Sequence, residues 1–441
     1  MSALAHILRQ LGHTVTGSDQ SESETLSRLQ HEGLHVWAPH DPRKLAQPSL
    51  VAKSVAIRED NPELLALIDR GLPIGSRADY MEALGRLRRT IAVSGTAGKT
   101  TTSAMIATIA TQAGWNPSMI VGATVHGLGT GVSWHESDWF VVEADESDGS
   151  FLRFRAEAVV VNSIEADHLD YWESMANLES GFDRFVGQAS GPRLVCADDL
   201  GCQELLTRMQ NERVLTFGFA AASTYRIVAF AAHELLSTFD VLGPNGMTVS
   251  VRLQVPGRHN ARNATAALAV MVELGVSPDV AAAALAEFRG AARRYEYRGT
   301  ANGVTFVDDY AHLPAKVRAA VDAALLGGWS RVLAIYQPHR FTRTRDLWQD
   351  HAHSFEGVDV LVVTDIYPAG QDPIDGVSAE LIVEAVRSAH PNQRVEYVVG
   401  RAALVDFLER ELMAGDLCLT MNAGDLTTLP TEMLATTWAR P

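Results

Sequence analysis

Residues 91–102 read Ile91-Ala92-Val93-Ser94-Gly95-Thr96-Ala97-Gly98-Lys99-Thr100-Thr101-Thr102, which predicts a buried parallel strand, a glycine loop and the start of a helix. Gly95 and Gly98 permit a tight turn whose backbone N–H groups form an anion site with the positive end of the helix. Lys99 would then reach the β- and γ-phosphates of a nucleotide, and the Thr100 hydroxyl would hold Mg²⁺. The third residue is valine where the standard phosphate loop has its first glycine. The alternative is a plain glycine-containing turn with an exposed lysine.

The composition limits the class of protein. The chain has 441 residues, 46% hydrophobic and 20% charged, which predicts two to four globular domains. A formal charge of −16 argues against a nucleic-acid or anionic-membrane partner. The three cysteines lack metal-ligand spacing, so we expect a reducing cytoplasm, with Cys196 and Cys418 in the core. We find neither a bilayer-spanning apolar run nor a signal peptide.

Residues 1–89 are predicted to form a first domain of Rossmann-like type. Helical spacing covers Ser2 to Leu11, and a strand then ends in Gly17-Ser18-Asp19, as in the second strand of a dinucleotide-type βαβ unit. There Asp19 would meet a ribose or base, or would simply cap the next helix. The first strand and glycine loop of that unit are absent, so we expect a domain truncated at its first strand.

A central domain over residues 90–294 is predicted to hold two acidic clusters at the ends of successive parallel strands. The first strand ends in Glu143-Ala144-Asp145-Glu146-Ser147-Asp148, and the next leads into Glu165-Ala166-Asp167-His168-Leu169-Asp170. Two such clusters downstream of a phosphate loop favour Mg²⁺ ligands. His168 would be a ligand or a helix cap, and we favour the ligand.

Two asparagines begin a later helix of the central domain. Asn260 and Asn263 are three positions apart and therefore share a helix face. They would hydrogen-bond an adenine edge, whereas ordinary N-capping explains only one of them. The segment 290–295 is the next candidate linker and places a domain boundary after Arg294.

Residues 295–441 repeat the alternation of strand and helix, which predicts an open parallel sheet with helices on both faces. We expect strands at 304–308, 332–336, 360–364, 395–399 and 417–421. The first ends at Asp308-Asp309-Tyr310-Ala311-His312, and the second leads into Gln337-Pro338-His339-Arg340-Phe341-Thr342-Arg343-Thr344-Arg345-Asp346. Three arginines at a strand end suit a carboxylate or phosphate.

These motifs, in this order over essentially the whole chain, resemble the Mur ligases of peptidoglycan assembly, and among them the alanine-adding type. The resemblance implies an α/β protein of three domains: a UDP-substrate domain, a central P-loop ATPase domain and a C-terminal Rossmann-like domain. It also implies the reaction. ATP phosphorylates the lactyl carboxylate of UDP-N-acetylmuramate, and the amine of L-alanine displaces phosphate from the acyl phosphate.

The resemblance assigns roles to single residues. Those implied for ATP are Gly95, Thr96, Ala97, Gly98, Lys99, Thr100, Thr101, Asn260, Asn263 and Arg294. Those implied for Mg²⁺ are Thr100, Glu143 and His168. Those implied for the substrates are Tyr310, His312, Arg340 and Arg343, and the strand end of the first domain adds Ser18 and Asp19 as substrate contacts. The catalytic group is Lys99, His168, His312, Arg340 and Arg343. The expected setting is a cytoplasmic monomer or homodimer.

Three features depart from the family pattern: the absent first strand and UDP loop, Ala97 in place of a histidine, and Leu313 in place of a second histidine. Two other functions stay open at this point. One is a recycling ligase that adds a ready-made tripeptide to the same sugar, although the segment 337–344 favours the alanine-adding type. The other is a degenerate ATP-binding protein without ligase activity.

Overall fold

The structure is a computed structural model that describes residues 1–435. The chain forms two compact units. The first comprises residues 1–124, 128–216 and 266–281, and the second comprises 125–127, 217–265 and the chain from residue 282 onward. The three-domain division at 89/90 and 294/295 stays a prediction, and the last residues of its third domain, 436–441, lie outside the described part.

The strands up to residue 196 are β1 (Thr16–Ser18), β2 (His35–Trp37), β3 (Val51–Lys53), β4 (Ile74–Ser76), β5 (Arg89–Ser94), β6 (Ser118–Val125), β7 (Thr130–Ser133), β8 (Trp139–Glu143), β9 (Ala158–Val161) and β10 (Arg193–Cys196). The helices are α1 (Ser2–Gln10), α2 (Glu24–His31), α3 (Pro62–Asp69), α4 (Arg77–Gly85), α5 (Lys99–Gln112), α6 (Leu169–Trp172), α7 (Met175–Gly187) and α8 (Leu200–Arg208). Short 3₁₀ turns cover Pro42–Lys44 and Ser150–Arg153.

The remaining strands are β11 (Leu215–Gly218), β12 (Tyr225–His233), β13 (Leu236–Leu242), β14 (Thr248–Leu253), β15 (Glu296–Ala301), β16 (Val304–Asp309), β17 (Arg331–Tyr336), β18 (Val360–Val363), β19 (Arg394–Tyr397) and β20 (Asp416–Met421). The helices are α9 (Arg258–Glu273), α10 (Pro278–Ala286), α11 (Pro314–Leu325), α12 (Phe341–Leu347), α13 (Glu380–Ala389), α14 (Arg401–Glu411) and α15 (Leu429–Ala435). Further 3₁₀ turns cover Pro244–Gly246, Gln349–His353 and Asp425–Thr428.

The N-terminal part of the first unit carries two pairs of parallel strands, β1 with β2 and β3 with β4. Leu4 and Ile7 are the buried side chains of α1, in agreement with its predicted helical spacing. Asp19 does not cap α2, because Ser23 is the N-cap residue and its side chain accepts a hydrogen bond from the Leu26 amide. The capping interpretation of Asp19 was therefore wrong.

The larger sheet of the first unit places β5 between its parallel neighbours β8 and β9, with the order β10-β9-β5-β8-β6-β7. Strand β5 is buried from Thr90 to Ser94, and α5 is buried almost all round, from Thr100 to Ala107 and at Ile109 and Ala110. A helix without a polar face belongs in a core. Because parallel strands end at the same edge of a sheet, the residues after β5, β8 and β9 meet there.

The second unit contains antiparallel strands that the sequence analysis did not predict. Strand β12 pairs with β13 and β13 with β14, both antiparallel. In β14 exposed and buried residues alternate strictly along Thr248–Leu253, so one face of this strand lies against the core. This period-2 pattern in the sequence was the signal that could have revealed the strand.

The C-terminal sheet of the second unit has the order β15-β16-β20-β17-β18-β19 and is parallel except for the edge strand β15. Alternate residues of β17 enter two cores on opposite faces: Val332 and Ala334 pack with residues of α11 and α13, while Leu333 and Ile335 pack with residues of α14 and α15. The prediction of a doubly covered parallel sheet is confirmed, and the five predicted strands, which are all but β15, lie within two residues of their expected bounds.

Candidate nucleotide-binding site

The glycine loop lies between β5 and α5, as predicted, and the helix begins at Lys99. Gly95 has φ +127° and Gly98, the N-cap residue, has φ +82°. A side chain on Gly95 would meet backbone atoms, since an added Cβ would lie 2.8 Å from the Ser163 carbonyl oxygen. Glycine is therefore required at Gly95 both by the conformation and by this close approach.

Ser163, which follows β9, holds the loop in place. Its carbonyl oxygen accepts a hydrogen bond from the Thr96 amide at 3.0 Å, and its hydroxyl oxygen accepts one from the Ala97 amide at 2.9 Å. The Thr96 hydroxyl in turn accepts a bond from the Glu165 amide at 2.9 Å. The loop conformation is thus fixed by the neighbouring strand end, and alanine at position 97 contributes its amide without needing a side chain.

Lys99 is partly buried, with 14% of its side chain exposed, and lies among oxygen acceptors. Its Nζ donates to the Gly95 carbonyl at 2.8 Å and to the two carboxylate oxygens of Glu146 at 2.9 and 2.8 Å, while Asp145 lies 3.7 Å away. Burial works to lower the pKa of Lys99, but Glu146 and Asp145 outweigh it and raise the pKa above the ordinary value. Lys99 is therefore a charged group beside the loop, as a phosphate ligand requires.

Thr100 and Glu143 lie together at the start of α5. The Thr100 hydroxyl donates to Glu143 Oε1 at 3.1 Å, and Glu143 Oε2 accepts a bond from the Gly122 amide at 2.8 Å. A hydroxyl and a carboxylate at this distance are suitable oxygen donors for Mg²⁺. Thr101, also predicted for ATP, is buried in the first turn of the same helix.

His168 lies within the second acidic segment, in a left-handed backbone conformation with φ +55°. It is the N-cap residue of α6, but its side chain makes no capping hydrogen bond, and its Nε2 lies 3.6 Å from Asp167 Oδ2. Within residues 1–435, no group of three His, Cys, Asp or Glu side chains could hold a metal ion. A magnesium site here would use the Thr100 hydroxyl, Glu143 and phosphate oxygens, and the role of His168 as a ligand stays a prediction.

The second unit holds Asn260 and Asn263 in the first turns of α9, and the structure brings the two side chains together. Asn260 Nδ2 donates to the Pro256 carbonyl at 2.7 Å, and Asn263 Nδ2 donates to Asn260 Oδ1 at 3.5 Å. Both side chains are buried. Neither bond is to an amide group of the helix start, so N-capping does not explain the pair, and the adenine contact stays a prediction.

The predicted substrate residues of the second unit gather at the ends of β16 and β17. His312 Nδ1 donates to the Tyr310 carbonyl at 2.8 Å. Burial lowers the pKa of His312 to about 3, so this histidine is neutral and its Nε2 is an acceptor. The guanidinium of Arg294, one of the residues predicted for ATP, lies 5.0 Å from the centre of the Tyr310 ring.

Arg340 and Arg343, the predicted substrate arginines that follow β17, differ in their surroundings. Arg343 Nη1 donates to His339 Nδ1 at 2.8 Å, and the His339 ring lies 5.8 Å from that of His312. Burial, and then Arg343 and Arg340, lower the pKa of His339 to about 4. Arg340 is exposed, and its φ of +69° lies in the left-handed region. His339 joins the candidate site although the sequence analysis gave it no role.

Ser18 and Asp19 lie in the N-terminal part of the first unit. The Ser18 hydroxyl bonds to His40 Nδ1 at 2.8 Å and donates to the buried carboxylate of Glu63. Glu63 also accepts the Trp37 indole N–H at 3.0 Å. Asp19 is exposed, and Ser18 and Asp19 stay predicted substrate contacts.

The first unit is built as a P-loop nucleotide-binding α/β protein, because a lysine and a threonine begin a buried helix after a glycine loop and a carboxylate lies beside them. Comparison with known proteins narrows this class. Three family models match consecutive parts of the chain: "Mur ligase family, catalytic domain" at residues 1–89, "Mur ligase middle domain" at 93–271 and "Mur ligase, glutamate ligase domain" at 293–424. The chain belongs to the Mur ligase family.

Several relatives are similar over almost their full length. A UDP-N-acetylmuramate–L-alanine ligase of Anaeromyxobacter dehalogenans is 40% identical over 437 residues, which are 99% of this chain and 95% of the relative. One of Mesorhizobium japonicum is 37% identical over 99% of this chain and 96% of the relative. The crystal structure of UDP-N-acetylmuramate-alanine ligase from Thermotoga maritima matches with a TM-score of 0.83 and 26% identity, over 98% of this chain and 95% of that one.

Proposed function

We propose that this chain is an ATP-dependent amide-forming ligase that joins L-alanine to the lactyl carboxylate of UDP-N-acetylmuramate in peptidoglycan precursor synthesis. The observation that carries the proposal is the phosphate loop, with Lys99, Thr100 and Glu143 assembled beside it, in a chain whose near full-length relatives are named for this reaction.

The chemistry requires activation of a carboxylate, which is a poor electrophile. A carboxylate oxygen attacks the γ-phosphorus of ATP, the bond to the β-phosphate oxygen breaks, and ADP leaves. The amine of L-alanine then attacks the acyl carbon, the C–N bond forms, the C–O bond to phosphate breaks, and the amine loses a proton. Enzymes promote such steps by positioning and by stabilising phosphate charge.

Three residues of the first unit meet these needs. Lys99, which is charged and partly buried, would stabilise the negative charge that moves onto the β- and γ-phosphates. Thr100 and Glu143 would hold Mg²⁺, which when bound neutralises phosphate charge. We propose His168 near a second metal position.

The second unit would bind L-alanine or the reacting lactyl carboxylate. Arg340 and Arg343 are suited to a carboxylate, either that of L-alanine or the reacting lactyl group. His312 presents Nε2 as an acceptor, because its Nδ1 donates to the Tyr310 carbonyl, and it would orient the amine through a hydrogen bond. Tyr310 would pack against the substrate beside Arg294.

The test is amide formation by purified protein supplied with ATP, Mg²⁺, UDP-N-acetylmuramate and L-alanine. Lys99→Ala should lower the rate by about a hundredfold or more, because a group that stabilises transition-state charge is lost. Lys44→Ala removes the same charge at an exposed position and serves as the control. Unchanged turnover in Lys99→Ala would contradict the phosphate-loop assignment. Product from a murein tripeptide but not from L-alanine would show that the tripeptide, and not L-alanine, supplies the amine.

We infer a cytoplasmic setting, supported by the three cysteines, which are buried thiols and not disulfides. Across residues 1–435, every helix falls short of the length and apolar character needed to cross a bilayer. A monomer or homodimer is proposed, and sedimentation of the purified chain distinguishes the two.

A further inference from the structure

The ammonium group of Lys99 has all its hydrogen-bonding capacity in use. A lysine ammonium has three donor protons. Three acceptors lie within bonding distance: the Gly95 carbonyl at 2.8 Å and the two Glu146 oxygens at 2.9 and 2.8 Å. A phosphate oxygen cannot bond to Nζ unless one of these three contacts breaks.

The Glu146 carboxylate contacts Lys99, and hydrogen bonds to the Glu146 carbonyl fix its main chain. The Glu146 carbonyl accepts the Trp172 indole N–H at 2.9 Å and the Gly149 amide at 3.2 Å. Glu146 is 2% exposed, so water competes little for its carboxylate. Release of Lys99 therefore needs a rotation of the Glu146 side chain and leaves its main chain in place.

We propose that Glu146 sets the nucleotide affinity of the site, because its carboxylate occupies the position beside Lys99 Nζ that a phosphate oxygen would take. This inference rests on the proposed function, because it assumes that Lys99 is a ligand of the phosphates. A carboxylate and a phosphate repel each other when both are shielded from water, so Glu146 leaves Lys99 when the β- and γ-phosphates arrive. The affinity for ATP is accordingly lower than the loop alone would give.

The variant Glu146→Gln keeps the shape of the side chain and removes its charge. Because hydrogen bonds to a charged acceptor are about twice as strong as neutral ones, ATP should bind about tenfold more tightly. Binding of AMP should change less than twofold, since AMP lacks the phosphates that Lys99 would reach. A merely structural role of Glu146 would change the two affinities alike.

Asp145→Asn is the matched control. Asp145 carries the same charge, but its Oδ1 lies 3.7 Å from Lys99 Nζ and its side chain is 48% exposed. This variant should tighten ATP binding less than threefold, because it releases no donor of Lys99.

Titration calorimetry of the full chain with ATP and AMP, in the presence of Mg²⁺, supplies these affinities. Glu146→Asp is a second variant that withdraws the carboxylate by one methylene, and it too should bind ATP more tightly. Unchanged or weaker ATP binding in both variants would overturn the role of Glu146. Lys99→Ala distinguishes failure of the phosphate-site assignment from failure of the inference on Glu146. If Lys99→Ala leaves ATP binding intact, the phosphate-site assignment is wrong. If Lys99→Ala weakens ATP binding while Glu146→Gln does not strengthen it, only the inference on Glu146 fails.

Discussion

Replacing Gly95 by alanine tests whether the loop conformation seen here is the one that binds nucleotide. The φ of Gly95 is +127°, a region that L-residues with a side chain rarely adopt. The added methyl carbon would also lie 2.8 and 2.9 Å from the backbone oxygen and nitrogen of Ser163. These are main-chain atoms of a strand end, so relief of the clash must move the loop.

The expected loss of ATP affinity follows from the backbone strain and from the hydrogen bonds that a movement of the loop breaks. The backbone conformation costs about 1 to 3 kcal/mol for alanine. Displacement of the loop also breaks the two bonds from the Thr96 and Ala97 amides to Ser163, each contributing about 1 kcal/mol. A total of about 3 kcal/mol lowers the population of the binding conformation, and hence the ATP affinity, by about a hundredfold.

The assay is ATP binding by calorimetry, with a thermal melt of each variant. Gly114→Ala is the control, because Gly114 also has a left-handed φ, +79°, but no atom of residues 1–435 lies within 4 Å of an added Cβ. It should lose about 1 kcal/mol of stability and keep its ATP affinity within twofold. If Gly95→Ala bound ATP within threefold of the parent, the close approach of the loop to Ser163 would not be required for nucleotide binding.

Two further predictions concern the cores. Burial lowers the pKa of His351 to about 3, whereas an unfolded histidine has a pKa near 6.5, so the unfolded state takes up the proton first as the pH falls. The free energy of unfolding should therefore decrease by roughly 2 kcal/mol between pH 7 and pH 5 through this group. In His351→Phe, the free energy of unfolding, measured by urea denaturation, should change less between pH 7 and pH 5 by this amount. An unaltered pH dependence would contradict the burial argument. Cys196, Cys202 and Cys418 are all buried, so a thiol reagent should label none of them rapidly in the native chain and all three in guanidinium. Fast labelling of even one native thiol would show that its core opens locally.

The sequence could predict those parts of the site that depend on local spacing. The glycines, Lys99 and Thr100 fall within six positions, and the chemistry of a phosphate loop fixes their order. The strand ends at Glu143 and Asp309 were likewise predictable, because apolar runs end there in acidic residues.

Contacts between distant positions could not be predicted. Ser163 lies 66 positions from Ala97, and a serine after a strand carries no pattern that identifies a loop partner. Glu146 was one of four acids in a cluster, and only the geometry shows which of them takes Lys99. Asp19 illustrates a local alternative that failed, because the chain continued four residues further to a better cap at Ser23.

The burial of α5 has a consequence for motion. Amide protons in the middle of this helix can exchange with deuterium only when the surrounding core opens, because almost every side chain from Thr100 to Ala110 is covered. The loop that precedes the helix is held by the bonds from the Thr96 and Ala97 amides to Ser163, so we expect its amides to exchange when these bonds break, without opening of the core. In the nucleotide site, the amides of α5 should therefore exchange slowly and those of the glycine loop faster. Ligand binding should slow amide exchange in the loop alone.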